Sequence, residues 1–461
     1  MVKSAPAERI QWSMMGTIFA LAWPTMLEQL MQTAVQYIDT AMVGALGTQA
    51  TAAVGSTTTI NWLLISSISA LGIGFLSFIA RSFGAGDPEK ARRAVAQSVL
   101  VTLICGTFFT VLTVAVSPVI PRWMQVDPDL QEMASRYFLI LYLPMLPRSA
   151  GVIFGTVLRA AGDSKTPMRV GFLINIINII GNCLLIFPTR AVQFWGLQLT
   201  LPGAGWGITG AAAASAIAYT IGGICITAAL WRHPRVSPRG YSIKPDRAIL
   251  KPCLQVAIPN MLQRFATSLG YVVFAAMINA LGEISTAAHT VANTVESAFY
   301  IPGYGMQAAA GTLAGNAYGA RDKKRMRDLI LLINLLEIGL MLLSGGLLFI
   351  FARPMVGLFS KNAQVISLGV IVLRMVAVSE PIYGVSLILE GIMQGTGNTM
   401  PPFVFNVAGM WGIRIVGTLI CTTVLGMGLV SAWACMIAHN LLLFILFLQQ
   451  ALRGRLSPQR L

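Results

Sequence analysis

The residues with the clearest potential for chemistry are carboxylates and amides inside otherwise apolar segments. The first such segment carries four of them at spacings of 4, 4 and 3: Glu28, Gln32, Gln36 and Asp39. An α-helix turns through about 1100°, close to three full turns, between the first and the last, so these side chains share one face. The two carboxylates are about 16 Å apart along the axis. We therefore expect this face to line a cavity; a satisfied hydrogen-bond network between helices is the alternative.

A second polar face belongs to the fifth apolar segment, where Asn175, Asn178 and Asn182 follow at spacings of 3 and 4. An amide can hydrogen-bond a carboxylate in either protonation state, so this helix is a natural neighbour for Asp39. Polar residues that only hold helices together are the alternative. Ser215 ends a run of small residues that permits close helix packing, and it could also help to coordinate a cation.

The second half of the chain combines carboxylates with aromatic rings. Such a lining suits lipophilic cations, which it attracts by charge and by cation–π contact. We predict a substrate-binding surface there, to which Gln36 and Asn175 contribute from the first half. Its members in the second half are Glu296, Tyr300, Glu380, Tyr383, Glu390, Trp411 and Arg414. The alternative is that Arg264 or Arg414 forms fixed ion pairs with these glutamates.

Ionisable side chains within a membrane span cost about 2.5–3.5 kcal/mol each on insertion scales, and they usually face a cavity or a partner. Glu337 belongs to this group as well. Arg136, Arg148 and Arg374 lie towards the ends of their segments, where a long basic side chain can reach the membrane surface.

Membrane-spanning helices must position these residues. The 461 residues are 56% hydrophobic and 11% charged, whereas soluble globular proteins are about 25% charged. A span needs about 20 apolar residues. The sequence thus predicts an all-α integral membrane protein with twelve spans: 14–41, 50–80, 94–118, 133–157, 166–187, 206–231, 249–279, 285–315, 329–352, 366–392, 401–424 and 427–449.

The connecting segments alternate in basic charge, as the positive-inside rule requires. One side holds 23 Lys and Arg residues and the other holds 4. Both termini are therefore expected in the cytoplasm, and this asymmetry, together with attraction to anionic lipid, accounts for the net charge of +15. We expect no nucleic-acid partner. The six cysteines have no metal-type spacing, and we expect no metal site.

The chain repeats itself at an offset of 235 residues: Pro24 recurs as Pro259 and Gly84 as Gly319. Two homologous bundles of six spans each start from the same side, so the pseudo-two-fold axis should run along the membrane normal. We predict an N-lobe over 1–231, a cytoplasmic linker over 232–248 and a C-lobe over 249–461.

The chemistry is not duplicated with the scaffold. At the same offset Asp39 corresponds to Phe274, and Glu28 corresponds to Gln263. This difference predicts a division of labour, with uptake of a cation by Asp39 in the N-lobe and much of the charge of a cationic ligand met by acids of the C-lobe.

Several motifs resemble the multidrug and toxic compound extrusion (MATE) family. They are Asp-Thr-Ala-Met-Val-Gly starting fifteen residues after Pro24, the turn Ala-Leu-Gly in both repeats, Gly-Ala-Gly-Asp after the second span, and Leu158–Asp163 echoed by Met393–Asn398. The resemblance covers nearly the whole chain. It implies a V-shaped bundle of twelve helices that exports drug-like, often cationic, compounds in exchange for Na⁺ or H⁺.

The resemblance also implies roles for particular residues. Asp39 matches the cation-coupling aspartate of the first helix, and Asn178 matches an asparagine beside it. Asn182 and Ser215 match further positions of that site, and Glu28 is expected to contribute. Some members carry an acid on the seventh helix, where this chain has Thr267. The family's acid on the tenth helix falls near Tyr383.

We therefore expect a monomeric secondary transporter, not an enzyme, in the plasma (inner) membrane. Its substrates are small drug-like molecules, membrane lipid surrounds it, and its only cofactor is the coupling ion, H⁺ or Na⁺. A single carboxylate with amide neighbours favours H⁺. Pro24 is the expected hinge of the first helix, because proline removes a backbone hydrogen bond. The runner-up function is a flippase for lipid-linked oligosaccharide, and a membrane-embedded enzyme or channel is third.

Overall fold

The computed structural model describes residues 13–123, 126, 128–194, 197–454 and 456. Lys3, Arg9, Arg455 and Arg460, on which part of the predicted orientation of the termini rests, lie outside the described residues.

The first half consists of helices and one β-hairpin. Its elements are α1 (Met14–Gly44), α2 (Thr48–Gly84), α3 (Pro88–Val116), α4 (Ile120–Trp123), α5 (Pro128–Tyr142), α6 (Met145–Ala160), α7 (Lys165–Leu185), β1 (Pro188–Phe194), β2 (Leu197–Ala204) and α8 (Ile208–Arg232).

The second half is helical throughout, and its eleventh span alternates α-helix with wider π-helical turns. Its elements are α9 (Arg247–Asn279), α10 (Glu283–Gly319), α11 (Lys323–Phe359), α12 (Ala363–Thr396), α13 (Met400–Val407), a π-helical segment (Ala408–Ile415), α14 (Val416–Leu419), a second π-helical segment (Ile420–Val424) and α15 (Leu429–Leu452).

The fold is a bundle of twelve membrane helices in two lobes, as predicted. Among the described residues, nine helices are long and apolar enough to cross a bilayer, or ten if α5 and α6 count as one bent span. The two remaining long helices are α1, which carries the polar face from Glu28 to Asp39, and α10, which carries Glu296, Tyr300 and Tyr304. These two helices, which carry Asp39 and Glu296, thus fall short of the apolarity of the other spans.

The fourth span is not the single helix predicted over 133–157. It is broken between α5 and α6, which meet at an angle of 49°. Pro144 stands at the break, and Pro147 follows in the first turn of α6. Proline has no N–H to donate and disfavours helical backbone in the residue before it, so the helix ends and restarts here.

A β-hairpin between the fifth and sixth spans was not predicted. Strands β1 and β2 pair antiparallel, with Ala191 opposite Thr200 and Val192 opposite Leu199. The sequence Leu-Gln-Leu-Thr-Leu at 197–201 alternates apolar and polar residues, which is a strand signal. The prediction of spans relied on long apolar runs and did not use it.

The predicted linker over 232–248 is fastened to the N-lobe rather than free. Arg92 on α3 donates to the carbonyl oxygens of Pro234 and Arg235, at 2.7 and 3.2 Å. His233 lies 3.6 Å from the carboxylate of Asp163. Burial lowers the pKa of His233, an effect that this carboxylate opposes and that Arg235 reinforces. The segment is therefore anchored to α3 and to the loop between α6 and α7.

The lobes meet where α2 crosses α10, on the side of the molecule that carries the linker. A methyl group added to Gly84 would lie 2.0 Å from the carbonyl oxygen of Asn316, and one added to Gly319 would lie 2.0 Å from that of Arg81. Residues 81 and 316 are themselves related by the offset of 235, so this contact straddles the pseudo-two-fold axis. We call it the glycine crossing.

Two hydrogen bonds between the lobes flank the glycine crossing. Ser77 donates to the carbonyl oxygen of Gly395 at 3.0 Å, and Thr312 donates to that of Arg159 at 3.3 Å. Ser77 and Thr312 are again repeat equivalents. The crossing thus closes this end of the molecule by backbone contact.

Candidate functional site

Asp39 lies at one end of a continuous chain of hydrogen bonds that joins three helices of the N-lobe. The amide nitrogen of Asn182 donates to Oδ1 of Asp39 at 2.5 Å and to Oδ1 of Asn178 at 3.2 Å. Asn178 in turn donates to Oγ of Ser215 at 2.8 Å. The structure therefore brings together four residues that the sequence singled out, on α1, α7 and α8.

Small residues allow this contact between α7 and α8. A Cβ atom added to Gly181 would lie 2.8 Å from that of Ala214, and one added to Gly210 would lie 2.4 Å from the carbonyl oxygen of Leu185. The two backbones therefore approach closely enough for the short side chain of Ser215 to reach the asparagine stripe. Both Asn178 and Asn182 are buried, at 5% and 1% exposure.

Two polar atoms of the asparagine stripe on α7 have no hydrogen-bond partner among the described residues. Oδ1 of Asn182 and Nδ2 of Asn175 are buried without a hydrogen-bond partner among the described residues. Buried polar atoms without partners are costly, so these atoms are available to a bound water, ion or substrate. Gln36 on α1 is exposed, and its side chain is not part of the network.

Glu28 has a different neighbour. Both of its carboxylate oxygens accept from Nη2 of Arg159 on α6, at 2.8 and 2.7 Å. Because the fourth span was predicted to end at residue 157, Arg159 was counted with the loop charges, but α6 extends to Ala160 and holds it inside the lobe. The structure does not connect Glu28 to the hydrogen-bond chain of Asp39; it connects α1 to α6.

The first helix packs against the other lobe near its proline. Pro24 is buried within α1, and a Cβ atom added to Gly305 on α10 would lie 2.5 Å from the backbone nitrogen of Met26. Further along α1, the hydroxyl of Tyr37 donates to the carbonyl oxygen of Thr294 at 3.2 Å. A change in the shape of α1 would therefore alter its contacts with α10 of the C-lobe.

A buried arginine near the network contradicts the expectation that it reaches the membrane surface. Arg148 is 8% exposed. Its Nη2 donates to Oδ1 of Asn61 at 2.9 Å, and its guanidinium lies 4.4 Å from the ring of Tyr219. Tyr137 on α5 is within electrostatic reach of both Arg148 and Asp39. Arg148 was assigned to the end of a single predicted span over 133–157. The break at Pro144 instead places Arg148 in the first turn of α6, within the N-lobe.

The aromatic residues predicted for substrate binding form one cluster in the C-lobe. The rings of Tyr300 and Tyr304 on α10 meet edge to face at 5.9 Å, and those of Tyr300 and Tyr383 do so at the same distance. The hydroxyls of Tyr304 and Tyr383 are 3.1 Å apart. Spacings of about one helical turn on α10 put the first two rings on one face.

The glutamates of the C-lobe differ in how well their oxygens are paired. Glu390 accepts from the amides of Gln263, Gln394 and Asn406 at 2.8, 2.9 and 3.3 Å. Glu296 is 7% exposed and Glu380 is 1% exposed. Glu390 is thus held by amides, while the other two depend on charge and burial.

Arg414 is held by rings rather than by a carboxylate at contact distance. Its guanidinium lies 4.1 Å from the ring of Phe274 and 4.8 Å from that of Tyr271. Glu296 is within its electrostatic reach. Phe274 is the repeat equivalent of Asp39, so the position that carries a carboxylate in one lobe supports a buried cation in the other. Trp411 donates to the backbone of Ala266 at 3.1 Å and packs on α9.

The sequence matches the model of a known protein family in both halves. The model of the MatE family matches the chain twice, over residues 24–184 and 259–420, together well over half of its length. The chain belongs to the MatE family. Both matches begin at the repeat prolines, Pro24 and Pro259.

Curated MatE relatives extend over nearly the whole chain. The probable multidrug resistance protein NorM of Thermotoga maritima is 25% identical over 421 residues, which cover 91% of this chain and 88% of the relative. The probable multidrug resistance protein YoeA of Bacillus subtilis is 24% identical over 420 residues, or 89% and 87% of the two chains.

The solved MatE structures confirm the fold. A structure described as the outward-facing conformation of a multidrug resistance MATE family transporter of the MOP superfamily superposes with a TM-score of 0.86 at 24% identity, over 96% of both chains. The protein is thus a multi-pass membrane protein of a multidrug efflux transporter family, and small molecules are the substrates that its relatives imply.

Proposed function

We propose that this protein exports lipophilic cations across the plasma membrane in exchange for protons, with Asp39 as the coupling group. The observation that supports this most is the chain of hydrogen bonds from Asp39 through Asn182 and Asn178 to Ser215. A proton or Na⁺ that binds Asp39 cancels the negative charge to which Asn182 donates its hydrogen bond. By rotating, the amide of Asn182 can donate to the charged carboxylate or accept from the protonated carboxyl group.

Protons fit this site better than Na⁺ as the coupling ion. The carboxylate has one amide donor at 2.5 Å, and a donor N–H cannot ligate a metal cation. Sodium would require the amides of Asn182 and Asn178 to turn their oxygens inward, which would break two hydrogen bonds of the network. Protonation requires only that one bond weaken.

The tyrosine cluster and the C-lobe glutamates form the proposed substrate surface. Rings of Tyr300, Tyr304 and Tyr383 offer π faces to a cation, at a gain of about 0.5–2 kcal/mol each depending on desolvation. Glu296, Glu380 and Glu390 supply negative charge. The match to multidrug transporters leaves the flippase alternative without support.

Coupling would proceed through α1, because this helix carries Asp39 and also contacts the C-lobe at Met26 and Tyr37. Neutralisation of Asp39 weakens its hold on α7, and Pro24 provides the point at which α1 bends. The lobes then separate at the glycine crossing, which opens this end of the molecule. Both termini and the linker are assigned to the cytoplasm in this scheme.

Proteoliposomes loaded with ethidium test the proposal. Wild-type protein should drive efflux when a pH gradient is imposed and not when only a Na⁺ gradient is imposed. Asp39→Asn should lose gradient-driven efflux but retain exchange of labelled for unlabelled ethidium, since its substrate surface is intact. The control is Asp129→Asn, which removes an exposed acid from the first turn of α5 and should behave as wild type. Unimpaired gradient-driven export by Asp39→Asn would overturn the assignment.

A further inference from the structure

Glu337 is a fully buried acid that the mechanism above does not use. It lies near the middle of α11 at 0% exposure. Both of its carboxyl oxygens are buried, and neither has a hydrogen-bond partner among the described residues. A charged carboxylate in that position would forfeit its hydration without compensation.

Two glycines on neighbouring helices make room for this carboxyl group. A Cβ atom added to Gly303 on α10 would lie 2.8 Å from Oε1 of Glu337, and one added to Gly384 on α12 would lie 3.0 Å from the same oxygen. Any other residue at either position would therefore fill the space that the carboxyl group occupies. We call this space the glycine cradle.

A second buried acid lies on α12, one helical turn before Gly384 of the cradle. Glu380 precedes Gly384 by four residues on α12, so the two share a face. A Cβ atom added to Gly345, two turns after Glu337 on α11, would lie 3.4 Å from Cβ of Glu380. Oε2 of Glu380 is buried and has no described partner, and Glu337 and Glu296 both act on Glu380 electrostatically.

Glu337 and Glu380 are within electrostatic reach of each other in a buried region, where two like charges disfavour a doubly ionised state. The other titratable or charged groups facing this pair are Glu296 and Tyr300 on α10 and, beyond Glu296, Arg414. Arg414 offsets the charge of Glu296, and no Lys or Arg among the described residues forms an ion pair with Glu337 or Glu380. A proton is the smallest ligand that satisfies this pair.

From this geometry we propose that Glu337, seated in the glycine cradle beside Glu380, is a second proton-binding site, located in the C-lobe and distinct from Asp39. The site takes up one proton from water by forming an O–H bond on one carboxyl oxygen, and it gives the proton back by breaking the same bond. No other bond changes. The inference deepens the proposed function, because it adds a second site to the same proton-driven export.

Two measurements on the full chain test this site. The first is the infrared C=O stretching band of protonated carboxyl groups, followed during a pH titration of the purified protein. The wild type should lose the band in at least two components, and Glu337→Gln should lack one that Asp39→Asn retains. The second is the number of protons moved per ethidium in proteoliposomes, which should be smaller for Glu337→Gln than for the wild type.

Control variants separate this site from its surroundings. Glu283→Gln removes an acid from the first turn of α10 and should leave the buried band unchanged. Gly303→Ala keeps both acids but places a methyl group in the cradle, so it should shift the component assigned to Glu337. It also provides a second test if Glu337→Gln fails to fold.

Certain outcomes would overturn the proposal. The first is that Glu337→Gln keeps the full infrared band and the proton-to-ethidium ratio of the wild type. The second is that Na⁺ at constant pH removes a band component in the wild type but not in Glu337→Gln, because the site would then bind Na⁺. If Asp39→Asn transports normally while the Glu337 component titrates as described, the proposed role of Asp39 fails and the C-lobe site stands.

Discussion

The glycine crossing makes a quantitative prediction about the conformational equilibrium. Gly84→Ala would place a methyl group 2.0 Å from the carbonyl oxygen of Asn316, whereas real Cβ contacts essentially never fall under 3.0 Å. The partner is backbone, which cannot rotate out of the way as a side chain can. Overpacking of this kind costs about 1–3 kcal/mol. The cost is borne only by the state in which the crossing is closed.

That cost converts directly into a shift of populations. A difference of about 1–3 kcal/mol changes an equilibrium by roughly 5- to 150-fold, here in favour of the state in which this end of the molecule is open. Gly319→Ala should produce a similar shift, because its methyl group would lie 2.0 Å from the carbonyl oxygen of Arg81. The two substitutions act on one contact, so their effects should not add.

Distances between spin labels at Glu89 and Lys323 measure this shift by double electron–electron resonance, after the six native cysteines are replaced. These residues lie at the starts of α3 and α11, just beyond the crossing in each lobe. Both variants should populate longer distances than the wild type. Gly346→Ala is the matched control, since its methyl group would meet nothing within 4 Å. Unchanged distances in both variants, or equal changes in the control, would contradict this prediction.

Three further predictions concern single sites. Asn182→Leu removes the donor that Asp39 now holds, a hydrogen bond to a charged group worth about 1.5–3 kcal/mol, and should sharply reduce pH-driven ethidium efflux at unchanged protein yield. Glu28→Arg and Arg159→Glu should each destabilise the protein, by at most the about 3–5 kcal/mol that breaking a fully buried pair costs, because the side chains of this pair are 10% and 18% exposed. The double exchange should recover much of the melting temperature; no recovery would contradict a direct pair. Tyr383→Ala should raise the ethidium concentration for half-maximal transport several-fold, in line with about 0.5–2 kcal/mol for one cation–π contact, and leave proton coupling intact; a change in coupling instead would contradict its role in binding.

The sequence predicts the parts of this structure that depend on local periodicity. The face formed by Asn175, Asn178 and Asn182 emerges because helical spacing alone places these residues in line. Its meeting with Asp39 could be inferred as well, since an isolated carboxylate in a membrane span needs a polar neighbour. The twelve spans follow from length and apolarity in the same way.

Contacts between distant segments could not be predicted. The partner of Glu28 lies 131 residues away on a helix whose end was placed three residues too early, so Arg159 was counted with the loop charges. Arg148 was placed near the membrane surface because 133–157 was predicted as one unbroken helix. The structure shows that this helix ends at Tyr142 and that α6 begins at Met145, which places Arg148 in the interior. The cradle of Glu337 depends on which glycines of α10 and α12 face α11, which is set by packing and not by any one segment.

In the proposed function, Asp39 exchanges a proton for the drug. Proton release on addition of ethidium to the purified, weakly buffered protein measures this exchange without any gradient, since linkage makes the effects of proton and drug reciprocal. The wild type should release protons, and Asp39→Asn should release about one fewer per bound drug. Equal release by the two proteins, at equal ethidium occupancy, would contradict the claim.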